Sequence, residues 1–313
     1  MFLLKWISQK LCVLTVILVL SITPLALCNQ HLSKEYPGLH HHIEDLGRDK
    51  GYKFLITGGY RPKVANLTKY LVSISHANFK KFFGDSHFCG GAIIKPNTIL
   101  TAAHCISKKL YGFQMMRSII IIAGTPNRLV KTEHTQIMKV KRVAVYGESK
   151  TEKSVDIAVI ILQRNIRIDN VTTGVLPLAD HPLRPGEKCT VLGWGRIFDH
   201  GPMPATALYV DLEIWSRWKC QSYRSFYMPS LLCAGVPEDP ERDSCAGDSG
   251  GPLICDEKAV GIVSFGIGCG TPGYPGFYTN VYRYLDWVRA NLANKLHINY
   301  ILMVKLIFFL MLL

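Results

Sequence analysis

Between residues 70 and 281 the chain is written in short apolar runs broken by turn residues. The runs fall at 70–75, 119–123, 157–162, 190–193, 208–214, 259–265 and 277–281. They are rich in Val, Ile, Tyr and Phe, whose β-branched or ring side chains pack well on a pleated backbone. Many short strands with no long helices between them predict an all-β fold, as antiparallel barrels or sandwiches. A closing helix is expected at about 282–296, where Leu285, Val288 and Leu292 recur at helical spacing. The 313 residues, 48% of them hydrophobic, can bury a large core in one or two domains. No internal repeat with a period of a few tens of residues is visible.

The two ends read differently. Lys5 and Lys10, an apolar run over 11–27 and Ala26-Leu27-Cys28 form a secretory leader over 1–28. Residues 29–55 are polar, contain Pro37, Gly38, Gly47 and Gly51, and read as a short propeptide. His40-His41-His42 within it could ligate a metal, but no further ligands stand at zinc-site spacing, so no metal is expected. Residues 298–313 form an apolar tail interrupted by Lys305. The tail is shorter than the roughly 20 apolar residues of a membrane span. It fits the about 10–20 residues of a lipid-anchor signal, with Ala290-Asn291 and Ala293-Asn294 as candidate attachment sites. A secreted protein is expected, with surface tethering through this tail as a candidate feature.

A secreted chain matures in an oxidising compartment, where cysteines pair. Removing the leader takes away Cys12 and Cys28 of the ten cysteines, and the remaining eight allow roughly a hundred pairings. Asn66-Leu67-Thr68 and Asn170-Val171-Thr172 are glycosylation sequons. The net charge is +13, with clusters at Lys80-Lys81, Lys108-Lys109 and Lys139-Val140-Lys141-Arg142. Such charge suits anionic glycans or membrane surfaces, and more simply a solvated face. No segment resembles a nucleic-acid-binding module.

The chemistry-bearing residues stand in three places. The run Asp243-Ser244-Cys245-Ala246-Gly247-Asp248-Ser249-Gly250-Gly251-Pro252 holds a serine between glycines. A hydroxyl is a weak nucleophile unless a base and an anion site stand beside it. The glycines allow a sharp turn that exposes Ser249 and frees the amides of Gly247 and Ser249 for an oxyanion. Upstream lie Thr101-Ala102-Ala103-His104-Cys105 and Asp156-Ile157-Ala158-Val159. His104, Asp156 and Ser249, in that order and far apart, fit a triad assembled by folding.

These motifs, with Gly193-Trp194-Gly195 and Ser264-Phe265-Gly266, resemble the chymotrypsin/trypsin-type serine proteases over about 56–297. The resemblance implies two antiparallel six-stranded β-barrels with a C-terminal α-helix and the site in the cleft between them. His104 and Asp156 would come from the first barrel and Ser249 from the second, with the connection near 164–177. It implies the pairs Cys89–Cys105, Cys189–Cys255, Cys220–Cys233 and Cys245–Cys269. It assigns Asp243, six residues before Ser249, to the floor of the primary pocket, and Gly266 and Gly276 to its walls. Ser264 would line that pocket and support Asp156. An acid at the floor implies cleavage after Arg or Lys in extracellular proteins. Ile56 resembles the new N-terminus released from a zymogen, whose amine would pair with Asp248.

Two positions depart from the family pattern. Leu55 precedes the expected cut where Arg or Lys is usual, which implies an activating protease of apolar preference, or a cut at Lys53 followed by trimming. Phe265 replaces the usual Trp and implies altered subsites. No glutamate-rich loop between His134 and Glu148 offers the calcium site of some trypsins. Protease inhibitors are further partners the resemblance implies, and no cofactor is. The alternative class is a catalytically silent homologue that binds or regulates partners.

Overall fold

Ile119-Ile120-Ile121-Ile122 is buried along its whole length, although strand side chains alternate between two faces. Such a run suits a closed sheet covered both inside and out. In the computed structural model, which describes residues 58–62, 66–106, 118–147, 155–223 and 229–292, this run is one wall of a barrel. The leader, the propeptide, the Leu55–Ile56 junction, Lys108-Lys109 and the 298–313 tail lie outside the described residues.

The first barrel is built from β1 (Leu71–His76), β2 (His87–Lys95), β3 (Thr98–Thr101), β4 (Ile119–Ala123), β5 (Gln136–Val145) and β6 (Ala158–Leu162). It closes in the order β1-β2-β3-β6-β5-β4, every pair antiparallel. The second contains β7 (Lys188–Gly193), β8 (Leu208–Ile214), β9 (Leu231–Gly235), β10 (Pro252–Cys255), β11 (Lys258–Phe265) and β12 (Gly276–Asn280). It closes in the order β7-β8-β9-β12-β11-β10, again antiparallel throughout. The two barrels therefore repeat one strand order, a symmetry the sequence hides because its side chains do not repeat.

Among the described residues, three short α-helices accompany the barrels: α1 (Ala103–Ile106), α2 (Arg217–Tyr223) and α3 (Leu285–Leu292). The expected closing helix begins later than 282, because Val281–Tyr284 is a 3-10 turn that leads into α3. Lys95 Nζ and an Arg142 guanidinium nitrogen donate to the Leu292 and Asn291 carbonyls at 3.4 and 3.2 Å. Cations there complement the exposed carbonyls at a helix C-terminus. No helix among the described residues is long and apolar enough to cross a membrane.

The barrels share one apolar cluster, which runs from Leu71 and Ile93 of the first to Leu192, Tyr209 and Ile254 of the second, and at one point their backbones touch. Gly90 N donates to Ser249 O at 2.8 Å, joining β2 to the loop before β10. Gly250 has φ +80, and a Cβ there would stand 2.6 Å from Gly90 O. Only glycine lets the two backbones approach so closely. Nearby, Arg128 N donates to Ala205 O and Ala207 N to Pro126 O, both at 2.9 Å. Buried Trp194 donates from Nε1 to Pro126 O at 3.0 Å across the same boundary.

Candidate active site

His104 lies in α1, one short turn after β3, and Asp156 just before β6. The pairing of β3 with β6 brings Thr101 opposite Ala158, which carries the two side chains together. His104 Nδ1 lies 2.8 Å from Asp156 Oδ2, and the His104 amide donates to Asp156 Oδ1 at 2.9 Å. The same carboxylate accepts a hydrogen bond from Ser264 Oγ in β11, and Thr279 Oγ1 in β12 donates to the Asp156 carbonyl at 2.8 Å. Burial pushes the Asp156 carboxyl up, but the His104 bond and charge, with the Ser264 hydroxyl and the His104 amide, outweigh it. The carboxyl therefore stays below its usual range and charged. A bond from Nδ1–H to this acceptor leaves Nε2 as the basic nitrogen.

The second half of the site is the 243–251 loop between β9 and β10. His104 Nε2 lies 3.7 Å from Cys105 Sγ, and that same sulfur lies 3.6 Å from Ser249 O. The imidazole edge and the Ser249 loop thus meet at the Cys89–Cys105 disulfide. Gly247 has φ +107, and a Cβ on it would stand 2.9 Å from Met203 Cε. Among the described residues, neither the Gly247 nor the Ser249 amide donates to a protein acceptor. Both donors remain for a ligand.

Asp243 and Asp248 are buried in the same loop at 5% and 1% exposure. Asp248 accepts from Gly195 N at 2.7 Å and Cys245 N at 3.0 Å. A Cβ at Gly193 or Gly195 would collide with its carboxylate, so the Gly-Trp-Gly turn makes room for this acid. Burial raises the Asp248 carboxyl to about 6 despite the two amides. Asp243 accepts from Ser244 N at 2.8 Å and Gly270 N at 3.1 Å. Burial raises it to about 7 against those two bonds, with the Asp248 charge adding to the rise. A Cβ on Gly276 would stand 2.8 Å from Asp243 Oδ1, and one on Gly266 3.9 Å from Oδ2. Both glycines therefore border the acid. Asp243 and Gly276 line a small cavity with Pro240 and Tyr274, whereas a second, larger cavity of about 270 Å³ lies beside Gly266, lined by Ser249, Ser264 and Asp199 among others.

All four expected cysteine pairs are joined: Cys89–Cys105, Cys189–Cys255, Cys220–Cys233 and Cys245–Cys269. Cys245–Cys269 ties the Ser249 loop to the far wall of that cavity and closes 24 residues of separation, worth about 3 kcal/mol. Cys89, His104 and Cys105 are the grouped ligand-type atoms among the described residues, but both sulfurs are in a disulfide and provide no thiolate. Asn66 and Asn170 are both exposed. Ile56 lies outside the described residues, so its place near Asp248 is not shown.

Sequence reasoning missed two residues that hold this loop. His87, fully buried at the start of β2, contacts Ser73 Oγ at 2.8 Å through Nδ1 and Gly247 O at 3.0 Å through Nε2. The carbonyl can only accept, so Nε2 carries the proton and Nδ1 accepts from the hydroxyl. Burial lowers this imidazole to about 4, the Gly247 bond opposing and the Arg128 charge reinforcing the fall. Arg128 donates to Gly84 O, Pro204 O and Met203 O at 2.8, 2.9 and 3.2 Å, clasping two loops beside Gly247. A histidine two residues before Cys89 was the one available signal; the turn around Arg128 offers none.

The comparisons with known proteins agree with this geometry. The family model described as Trypsin matches residues 56–288. Duodenase-1 of Bos taurus is 34% identical over 215 residues, covering 68% of this chain and 81% of the relative. The thrombin-like enzyme acutin of Deinagkistrodon acutus is 34% identical over 212 residues, with 66% and 86% covered. Kallikrein-14 of Homo sapiens is 34% identical over 213 residues, with 66% and 75% covered. Two closed six-stranded antiparallel barrels with a short C-terminal helix form the trypsin fold, and the chain belongs to the trypsin family.

Proposed function

We propose that this chain is a secreted serine endopeptidase, made as a zymogen, that cleaves extracellular proteins after Arg or Lys. One juxtaposition carries the reading: an imidazole held by Asp156 stands beside a serine loop whose two amides remain free. Ser249 Oγ attacks the carbonyl carbon as His104 Nε2 takes its proton. The oxyanion that forms is held by the Gly247 and Ser249 amides, each donor contributing about 3 kcal/mol to lowering the barrier. The C–N bond then breaks, and the imidazolium returns its proton to the leaving amine. Water, deprotonated by the same nitrogen, hydrolyses the acyl-enzyme.

Asp243 sets specificity in this reading. A buried carboxyl bordered by two glycines leaves a slot that a long cationic side chain can fill and neutralise. Asp248 has a matching need. Cleavage at Leu55–Ile56 by another protease would supply the Ile56 amine as its counter-charge, and the ordered loop would follow. The domain then runs over about 56–297 after a leader at 1–28 and a propeptide at 29–55. Asn66 and Asn170 would carry glycans, and the 298–313 tail would attach the enzyme to the cell surface. Protease inhibitors would compete for the same cleft.

The test starts from protein whose first residue is set at Ile56. A fluorophosphonate should label the wild type and not the Ser249→Ala variant, and only the wild type should cleave peptides. Labelling of both, or turnover by the variant, would sink the assignment. A folded wild type that neither labels nor cleaves would favour a silent binding homologue.

A further inference from the structure

Asp199 is the one charged side chain among the described residues lining the cavity beside Ser249 and Gly266. It comes from a different element than the pocket itself, the loop that follows the Gly-Trp-Gly turn. That loop is firmly built. Gly201 N donates to Phe198 O at 2.8 Å and Ile197 N to Pro202 O at 3.1 Å, closing a tight reversal. His200 at its tip takes φ +60, a left-handed conformation that the turn requires. The Arg196 guanidinium reaches over to Gly201 O, and Arg196 N donates to Ala246 O at 2.9 Å, fastening the loop to the residue before Gly247. The Asp199 carboxylate thereby faces the opposite rim, 3.9 Å from where a Cβ on Gly268 would stand.

Its immediate electrostatic company is slight. His200 Nε2 lies 3.7 Å from Asp199 Oδ1, and that ring is 95% exposed. Among the described residues no backbone amide or lysine holds the carboxylate, unlike Asp180, which Lys258 holds at 2.8 Å. Asp243 does not line this cavity but lies behind one of its walls, 3.9 Å from where a Cβ on Gly266 would stand, with its own two amide donors. Two acids therefore flank the cavity, Asp199 on its lining and Asp243 buried behind Gly266.

We propose that Asp199 recognises a second cationic side chain next to the one held by Asp243, so that the preferred substrates present paired basic residues at the cleaved bond. A single Arg or Lys satisfies only Asp243. A neighbouring Arg or Lys finds the Asp243 slot already filled and meets the carboxylate at the rim, where it displaces His200. The effect is modest because the rim is wet. An exposed ion pair contributes on the order of a two- to fivefold preference, and it weakens with salt.

This inference rests on the assignment of Asp243, and the experiment separates the two. Peptides carrying one basic residue, a basic pair, and one basic residue flanked by an acid are compared by kcat/KM at low and high salt. In the wild type the paired peptide should exceed the single one by about threefold, and the excess should shrink in high salt. Asp199→Asn should bring the paired-to-single ratio close to one, Asp199→Lys should turn the preference toward the acid-flanked peptide, and Asp199→Glu should retain the ratio. A ratio unchanged in Asp199→Asn and Asp199→Lys overturns the proposal, even where cleavage after basic residues persists. Loss of the basic preference in the wild type itself would instead overturn the assignment of Asp243. Thermal unfolding of each variant shows that the loop change leaves the fold in place.

Discussion

Asp156 and the pair Asp243 and Asp248 are all carboxylates inside the protein, yet they lie on opposite sides of their ordinary titration range. Asp156, on the first barrel, meets an imidazole, a hydroxyl and an amide, and is held below that range. Asp243 and Asp248, on the second barrel, meet only backbone amides, and burial lifts them to about 7 and about 6. The first barrel therefore carries an acid whose partners are already in place. The second carries two acids with no cation paired to them among the described residues. In the proposed reading these two await a binding event, and Asp156 positions the base.

The contrast can be broken most severely at Asp156. Asp156→Asn should leave the fold intact and lower kcat by about 10⁴, because the amide no longer fixes the tautomer of His104. A loss under tenfold would show that Asp156 is not what orients the ring. Next comes Asp243→Ser. Removing a buried charge partner costs about 3 kcal/mol, so kcat/KM for Arg peptides should fall on the order of a hundredfold. An unaltered cleavage profile would refute the pocket assignment.

His87 tests the other side of the comparison, a buried base whose folded value, about 4, lies below the ordinary 6.5. Between those values the unfolded chain binds the proton and the folded chain does not, so this residue makes stability rise with pH across that window. His87→Gln keeps a donor for Gly247 O but removes the titration. Its unfolding free energy between pH 4 and 6.5 should lack about 3 kcal/mol of that rise, measured by urea titration. Parallel curves for the two proteins would rule the account out. The smallest effect is at the pocket. The empty Asp243 takes a proton below about 7, so the affinity of an amidine cation should weaken by about tenfold per pH unit below that point. Affinity that stays level from pH 8 to 5 would contradict a raised Asp243.

The parts legible in the sequence are those encoded locally. The runs at 119–123 and 208–214 match β4 and β8 residue for residue, because nearly every position is apolar or alternates cleanly. The strands that went unseen carry competing signals. In β2 the Gly90-Gly91 pair interrupts the pattern, and both glycines are needed where backbones cross closely. In β5, Lys139, Lys141 and Arg142 dilute the apolar face. β3, β9 and β10 are only four or five residues long, which leaves little room for a period to show. At the site, the motif residues were readable because each sits in a distinctive string. Ser73, His87, Arg128 and Thr279 act through partners 14 to 160 positions away, and beyond the place of His87 two residues before Cys89 nothing beside them in the chain announces it.

Ser264 occupies two structures at once. Its residue lines the cavity that would receive the substrate side chain, and its hydroxyl holds the carboxylate that steadies the imidazole. Seating a ligand and tuning the base are thus mechanically joined through a single residue of β11. A guest that fits the slot poorly disturbs the very strand on which the base depends. If the proposed function holds, selectivity would be felt in the speed of bond breaking as well as in the grip, and a wrong partner would be refused after it had already docked.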